Sequence, residues 1–125
     1  FNIVSNAANK PEGVLVRALQ PVDGIEQMLA RRKCRRVDDT CSGPGQLCAA
    51  LGITGKAYGK DLCSSNLYLE DGVNYGKEQI GVSPRVNIDY AGESKNLLWR
   101  YYVKDSRYVS KVSKRYSSGL TLADI

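Results

Sequence analysis

Apolar positions in this chain fall into short runs broken by turn residues, and in two places they take a helical period. Residues 1–5 and 14–19 are apolar and rich in β-branched side chains, and the segment 6–13 between them carries Asn6, Asn9, Pro11 and Gly13. That pattern predicts two strands joined as an antiparallel pair. Ile25, Met28 and Leu29 then form one helical stripe, with Asp23 as its expected cap and Glu26 three residues later, as in a capping box. A second helix is predicted after Cys41-Ser42-Gly43-Pro44-Gly45, where Ser42 or Gly43 can cap and Pro44 suits the first helical position. Its stripe is Leu47, Ala50 and Leu51, and Gly52 sits where a left-handed C-terminal cap is wanted. Alternation predicts a strand at 66–70, two short strands around Pro84 within 80–88, and a last strand at 98–103. In that last strand Trp99 and Tyr101 are expected in the core, with Arg100 and Tyr102 outside. The mixture of short strands and two helices predicts an α+β fold.

Composition narrows the class. A length of 125 residues predicts one domain with a modest core. The formal net charge is +5, which favours an acidic partner, nucleic acid first among them. No apolar run is long enough to cross a membrane, so no membrane association is expected. No secretory signal is visible. The chain opens on Phe1-Asn2-Ile3-Val4, which reads as the inside of a strand, so a fragment or a processed product is expected. The polar residues 113–125 are expected to form a mobile tail.

Candidate chemistry is sparse. There is no His, which removes acyl-transfer triads, and no nucleophile elbow. Cys34, Cys41, Cys48 and Cys63 could supply four thiolates to a zinc ion, but no C-x-x-C pair is present, so free thiols in a reducing compartment are expected. No Walker or G-x-G-x-x-G pattern occurs. The Gly-rich start of the second helix does offer backbone N–H groups and a dipole end to a phosphate of a polynucleotide. Arg31-Arg32-Lys33-Cys34-Arg35-Arg36 has five cations in six residues and is either a phosphate contact or a helix terminus partly neutralised by Asp38 and Asp39. Arg17 is a lone cation in an apolar run: an exposed strand residue, or a guanidinium held rigidly where a ligand meets the surface. Arg100-Tyr101-Tyr102, Arg107-Tyr108 and Arg115-Tyr116 interleave cations and rings, as surfaces for unstacked bases do. These residues by themselves point to a basic α+β nucleic-acid binder.

The chain resembles the alkyladenine (3-methyladenine) DNA glycosylase family. Four ordered blocks carry the resemblance: Asn2-Ile3-Val4; Val14-Leu15-Val16-Arg17-Ala18-Leu19-Gln20-Pro21 with Gly24; Ser42-Gly43-Pro44-Gly45-Gln46-Leu47-Cys48-Ala49-Ala50-Leu51-Gly52-Ile53; and Pro84-Arg85-Val86-Asn87-Ile88 with Ala91-Gly92 and Trp99-Arg100-Tyr101-Tyr102-Val103. It implies a single α+β domain built on a curved, mostly antiparallel sheet with flanking helices, of which residues 1–112 would be the C-terminal portion. It also implies hydrolysis of the N-glycosidic bond of alkylated or deaminated purines flipped out of double-stranded DNA, initiating base excision repair. Water is activated by a carboxylate, and neither metal nor cofactor is needed. Residue by residue, Asn2 matches a pocket position that rejects the exocyclic amine of guanine, and Leu15 matches a pocket-lining one. Arg17 matches an arginine near the flipped nucleotide and its phosphate. Ser42, Gly43, Gly45 and Gln46 match the loop and helix start that lie against the DNA backbone, many relatives having Lys in place of Gln46, and Lys56 lies near a basic position.

The family's catalytic Glu, its pocket Tyr and His and its intercalating Tyr match nothing in this chain. A piece of roughly three-fifths of a domain of about 200 residues, inactive alone, is therefore expected. The resemblance further implies a monomer acting inside the cell, in the nucleus of a eukaryote or the cytoplasm of a bacterium. Two other readings stand beside it: a catalytically inactive DNA-binding module, and an interaction domain whose charge is incidental.

Overall fold

A computed structural model describes residues 1–112, 116 and 119–125. The chain is α+β, with short helices and two small antiparallel sheets, and it forms two compact units, Phe1–Asp71 and Gly72–Ile125.

In the first unit β1 (Asn2–Ser5) pairs antiparallel with β2 (Glu12–Leu15), Asn2 opposite Leu15 and Ile3 opposite Val14. The second strand begins at Glu12, inside the predicted connection, and ends at Leu15, four residues before the predicted end. Val16 N–H still donates to the Phe1 carbonyl (3.0 Å), but the backbone then turns aside, and Leu19 N–H donates to the Cys41 carbonyl (3.1 Å). Phe1 and Val16 thereby pack, with Met28 and Cys48, on a core of Cys41, Leu47 and Ala50.

Helix α1 (Ile25–Arg32) lies where the stripe predicts, but its start differs from a capping box. Gly24 is the cap, in a left-handed conformation (φ 68°), and no side chain caps the helix. Glycine takes positive φ without steric cost, so the turn is made by backbone shape in place of the Asp23 carboxylate. Lys33 closes α1, also left-handed (φ 49°), with Lys33 and Cys34 N–H groups returning to the Ala30 and Leu29 carbonyls. Helix α2 (Pro44–Leu51) has Gly43 as an extended N-cap, Pro44 at its start and left-handed Gly52 at its end (φ 71°). Leu47 and Ala50 are fully buried, whereas Leu51, one turn after Leu47, sits at the rim.

The strand predicted at 66–70 does not form, because among the described residues no strand pairs with it. A turn organised by Asp61 stands there: Cys63 N–H donates to Oδ1 (2.8 Å), the Ser64 hydroxyl to Oδ2 (2.6 Å), and Leu69 N–H to the Leu62 carbonyl (3.0 Å).

In the second unit β3 (Ile80–Ser83) pairs antiparallel with β4 (Arg100–Val103). The second strand predicted around Pro84 is absent, and 3-10 turns spanning Asp89–Asn96 occupy the connection, kinked at Gly92. The faces of β4 are the reverse of the expectation. Trp99 and Tyr101 are 56% and 55% exposed, while Arg100 is buried. The cause is hydrogen bonding: the Arg100 guanidinium donates to the carbonyls of Ser110 and Lys111, so a charged side chain has backbone partners under the sheet. Of the segment 113–125, residues 113–115 and 117–118 lie outside the described ones; Leu120 and Thr121 meet β3, and a 3-10 turn spans Leu122–Asp124.

Candidate nucleic-acid interface

All the residues matched to the pocket and the DNA backbone fall in the first unit. The β1–β2 register brings two of them together: Asn2 and Leu15 are direct cross-strand partners, so their side chains project from the same face of the hairpin. Phe1 and Val16, one residue removed on each strand, face the core, so Asn2 and Leu15 project from the opposite side. Both are exposed, Leu15 by half.

Arg17 follows where the chain leaves the ladder. It is half-buried, and its Nε is shut off from solvent with no hydrogen-bond partner among the described residues. The exposed-strand reading therefore fails for Arg17. A buried guanidinium N–H without an acceptor is costly in a finished structure and marks a place where an acceptor belongs.

The start of α2 is built from backbone. Pro44 has no N–H, so Gly45 and Gln46 carry the first free donors of the helix. Nothing lies within 4 Å of where a Cβ on Gly45 would stand, so an incoming group could approach closely there. Gln46 is folded back: its Oε1 accepts from the Ser42 hydroxyl (2.9 Å) and would sit 3.0 Å from a Cβ on Gly43. A side chain at position 43 would press on the Gln46 amide, which keeps its NH₂ for another acceptor. Lys56 is not brought to this cluster. It is exposed on the 3-10 turn Gly55–Ala57, beyond the other end of α2, and an eight-residue helix separates the two by about 12 Å.

The basic run serves the fold in large part. Arg31 Nη1 donates to the Ala50 carbonyl (3.0 Å), tying the ends of α1 and α2 together. Arg32 Nε donates to the Thr40 carbonyl (3.1 Å), and Arg36 pairs with Asp38 and Asp39 at 3.4 and 3.8 Å. Lys33 and Arg35 remain exposed.

The interleaved cations of the second unit are likewise turned on their own rings. Arg100 lies 5.5 Å from the Tyr102 ring centre and Arg107 5.2 Å from that of Tyr108, while Arg115 is outside the described residues. The sequence pattern missed Arg85, whose guanidinium stacks 5.0 Å over Trp99 and whose Nη2 donates to the Ser94 carbonyl (3.2 Å). Fourteen residues separate Arg85 from Trp99, so no local spacing could pair them. Among the described residues no cluster of His, Cys, Asp and Glu could hold a metal ion, and no helix is long and apolar enough to cross a membrane.

The profile of the methylpurine-DNA glycosylase (MPG) family matches residues 1–107. The chain belongs to the methylpurine-DNA glycosylase family. A Clostridium novyi protein named "putative 3-methyladenine DNA glycosylase" is 42% identical over 119 residues, covering 89% of this chain and 58% of its own length. Proteins of the same name from Bacillus licheniformis (42% identical) and Bacillus cereus (41% identical) each match 89% of this chain and 56% and 59% of their own lengths. The chain thus spans somewhat under three-fifths of the length of each of those relatives.

Proposed function

We propose that this chain is the DNA-facing, C-terminal portion of a base excision repair glycosylase that takes double-stranded DNA containing an alkylated or deaminated purine. The observation that carries the reading is the family match over residues 1–107, which includes every candidate contact residue. In this reading the damaged nucleotide leaves the stack, because its glycosidic bond cannot be reached within it. The Asn2–Leu15 face of the hairpin meets the flipped base, Arg17 supplies its unbonded Nε to the nucleotide's phosphate, and the Gly45 and Gln46 N–H groups meet a neighbouring phosphate. The glutamate that activates water lies in a part of the protein outside these 125 residues, as does the residue that fills the vacated stack. The full protein acts as a monomer inside the cell, without a cofactor.

The test compares Arg17→Ala with the parent chain on duplexes carrying an abasic site, an alkylated purine or no lesion. The expected result is a loss of affinity several-fold larger on lesion DNA than on plain DNA. Equal loss on all three duplexes would reduce Arg17 to a general phosphate contact and favour an inactive DNA-binding module. Base release from alkylated DNA by this chain should stay at background; release above it would overturn the placement of the catalytic glutamate elsewhere.

A further inference from the structure

The family match ends at residue 107, yet the chain beyond it is stitched onto the β3–β4 sheet. The Arg100 guanidinium holds the carbonyls of Ser110 and Lys111, and the Tyr102 hydroxyl donates to the Tyr116 carbonyl at 3.1 Å. The contact that matters most comes after these. Val82 N–H donates to the Leu120 carbonyl (3.1 Å), and Gly81 bridges Thr121 in antiparallel fashion. β3 therefore has β4 on one edge and residues 120–121 on the other.

A clasp follows at once. Thr121 donates to Asp124 Oδ2 twice, from its backbone N–H (2.6 Å) and from its hydroxyl (2.8 Å). Asp124 N–H returns to the Thr121 carbonyl (3.1 Å) and Ala123 N–H to the Thr121 hydroxyl (3.3 Å). Thr121 is buried although it lies four residues from the end of the sequence, and Val82 beneath it is fully buried.

An edge strand with unpaired N–H and C=O groups is a template for another chain, and proteins blunt such edges with charge, proline or a cover. Ile80-Gly81-Val82-Ser83 has neither charge nor proline, so the cover is the only one of these devices present. We propose that residues 120–124 are a strap that closes the outer edge of β3 through Leu120 and Thr121, its turn shaped by the Asp124 carboxylate, and that opening it lets β3 pair with the same edge of a second copy. Two identical, uncharged edges can meet about a two-fold axis with no like-charge penalty, which makes a second copy the occupant. The inference does not depend on the DNA reading.

The test is amide hydrogen exchange and sedimentation on the full 125-residue chain, on Asp124→Ala, and on a chain lacking residues 119–125. Val82 N–H reads the strap; Lys104 N–H, which donates to the Gln79 carbonyl, reads the sheet without it. In both variants Val82 should exchange at least tenfold faster while Lys104 keeps its protection. Both variants should also form a concentration-dependent dimer that the parent does not. Unchanged exchange at Val82 would overturn the strap. Joint loss of protection at Val82 and Lys104 would show a core element in place of a strap, and an opened Val82 in a chain that stays monomeric would remove the second copy as occupant.

Discussion

Gly81 lies directly opposite Tyr102 on the β3–β4 ladder, and the Tyr102 ring crosses so closely over it that a Cβ on Gly81 would stand 2.5 Å from the ring. Gly81→Ala therefore makes the tip of the Tyr102 side chain shift and strains the bond from its hydroxyl to the Tyr116 carbonyl. The expected cost is about 1–3 kcal/mol, the usual range for overpacking. Tyr102→Phe keeps the ring and loses only the hydrogen bond, for about 1 kcal/mol. Denaturant midpoints of the two variants check the order.

Leu47 is the largest fully buried side chain of the first unit, and Cys41 and Ala50 close around it. Leu47→Ala leaves a cavity between the hairpin and both helices. A loss of about 2–5 kcal/mol is expected, read as a lowered denaturation midpoint with an unchanged slope.

Arg31 and Arg35 belong to one basic run but differ in role. Arg31→Ala removes the bond to the Ala50 carbonyl and the guanidinium packed 3.6 Å from the Gly52 Cβ position. A destabilisation of about 1 kcal/mol is expected. Arg35 is exposed, and its alanine variant should stay within about 0.5 kcal/mol of the parent. Thermal melts of the pair check whether the run is structural at one end and solvated at the other.

Gln46→Lys tests the helix start as a phosphate contact. The substitution breaks the Ser42–Gln46 bond and places a cation beside the free N–H groups of α2. DNA affinity should rise at low salt, and the slope of log affinity against log salt should steepen by about one. An unchanged slope would separate this helix end from the DNA backbone.

Asp61 links the turn before residue 66 to pH. The Ser64 hydroxyl first, and then the Cys63 N–H, hold its carboxyl below the ordinary value of 3.8. A folded-state value below the unfolded one gives a stabilisation that is present above the unfolded value and is lost as pH falls through the folded one. The turn at 61–65 should therefore loosen only below about pH 4. In Asp61→Asn, exchange at Cys63 N–H should be faster at neutral pH and should lose that acid-dependent step.

What could be read in the sequence was what is settled over a few residues. Pro44 and Gly52 bracket α2 because a missing N–H and a free left-handed φ act on the residue that carries them. The β1–β2 hairpin follows from two apolar runs and the turn residues between them, and its register places Asn2 against Leu15. Tertiary structure decided the rest. Alternation along residues 98–103 marks two faces but not which one turns inward, and that choice went to Arg100 because backbone carbonyls at 110 and 111 were there to receive it. The residues at 66–70 alternate as well, and with no partner strand among the described residues they make no ladder. The Arg31–Ala50 bond, the Arg85–Trp99 stack and the closure of β3 by residues 120–121 join positions 14 to 40 residues apart, where only the folded chain sets the distance.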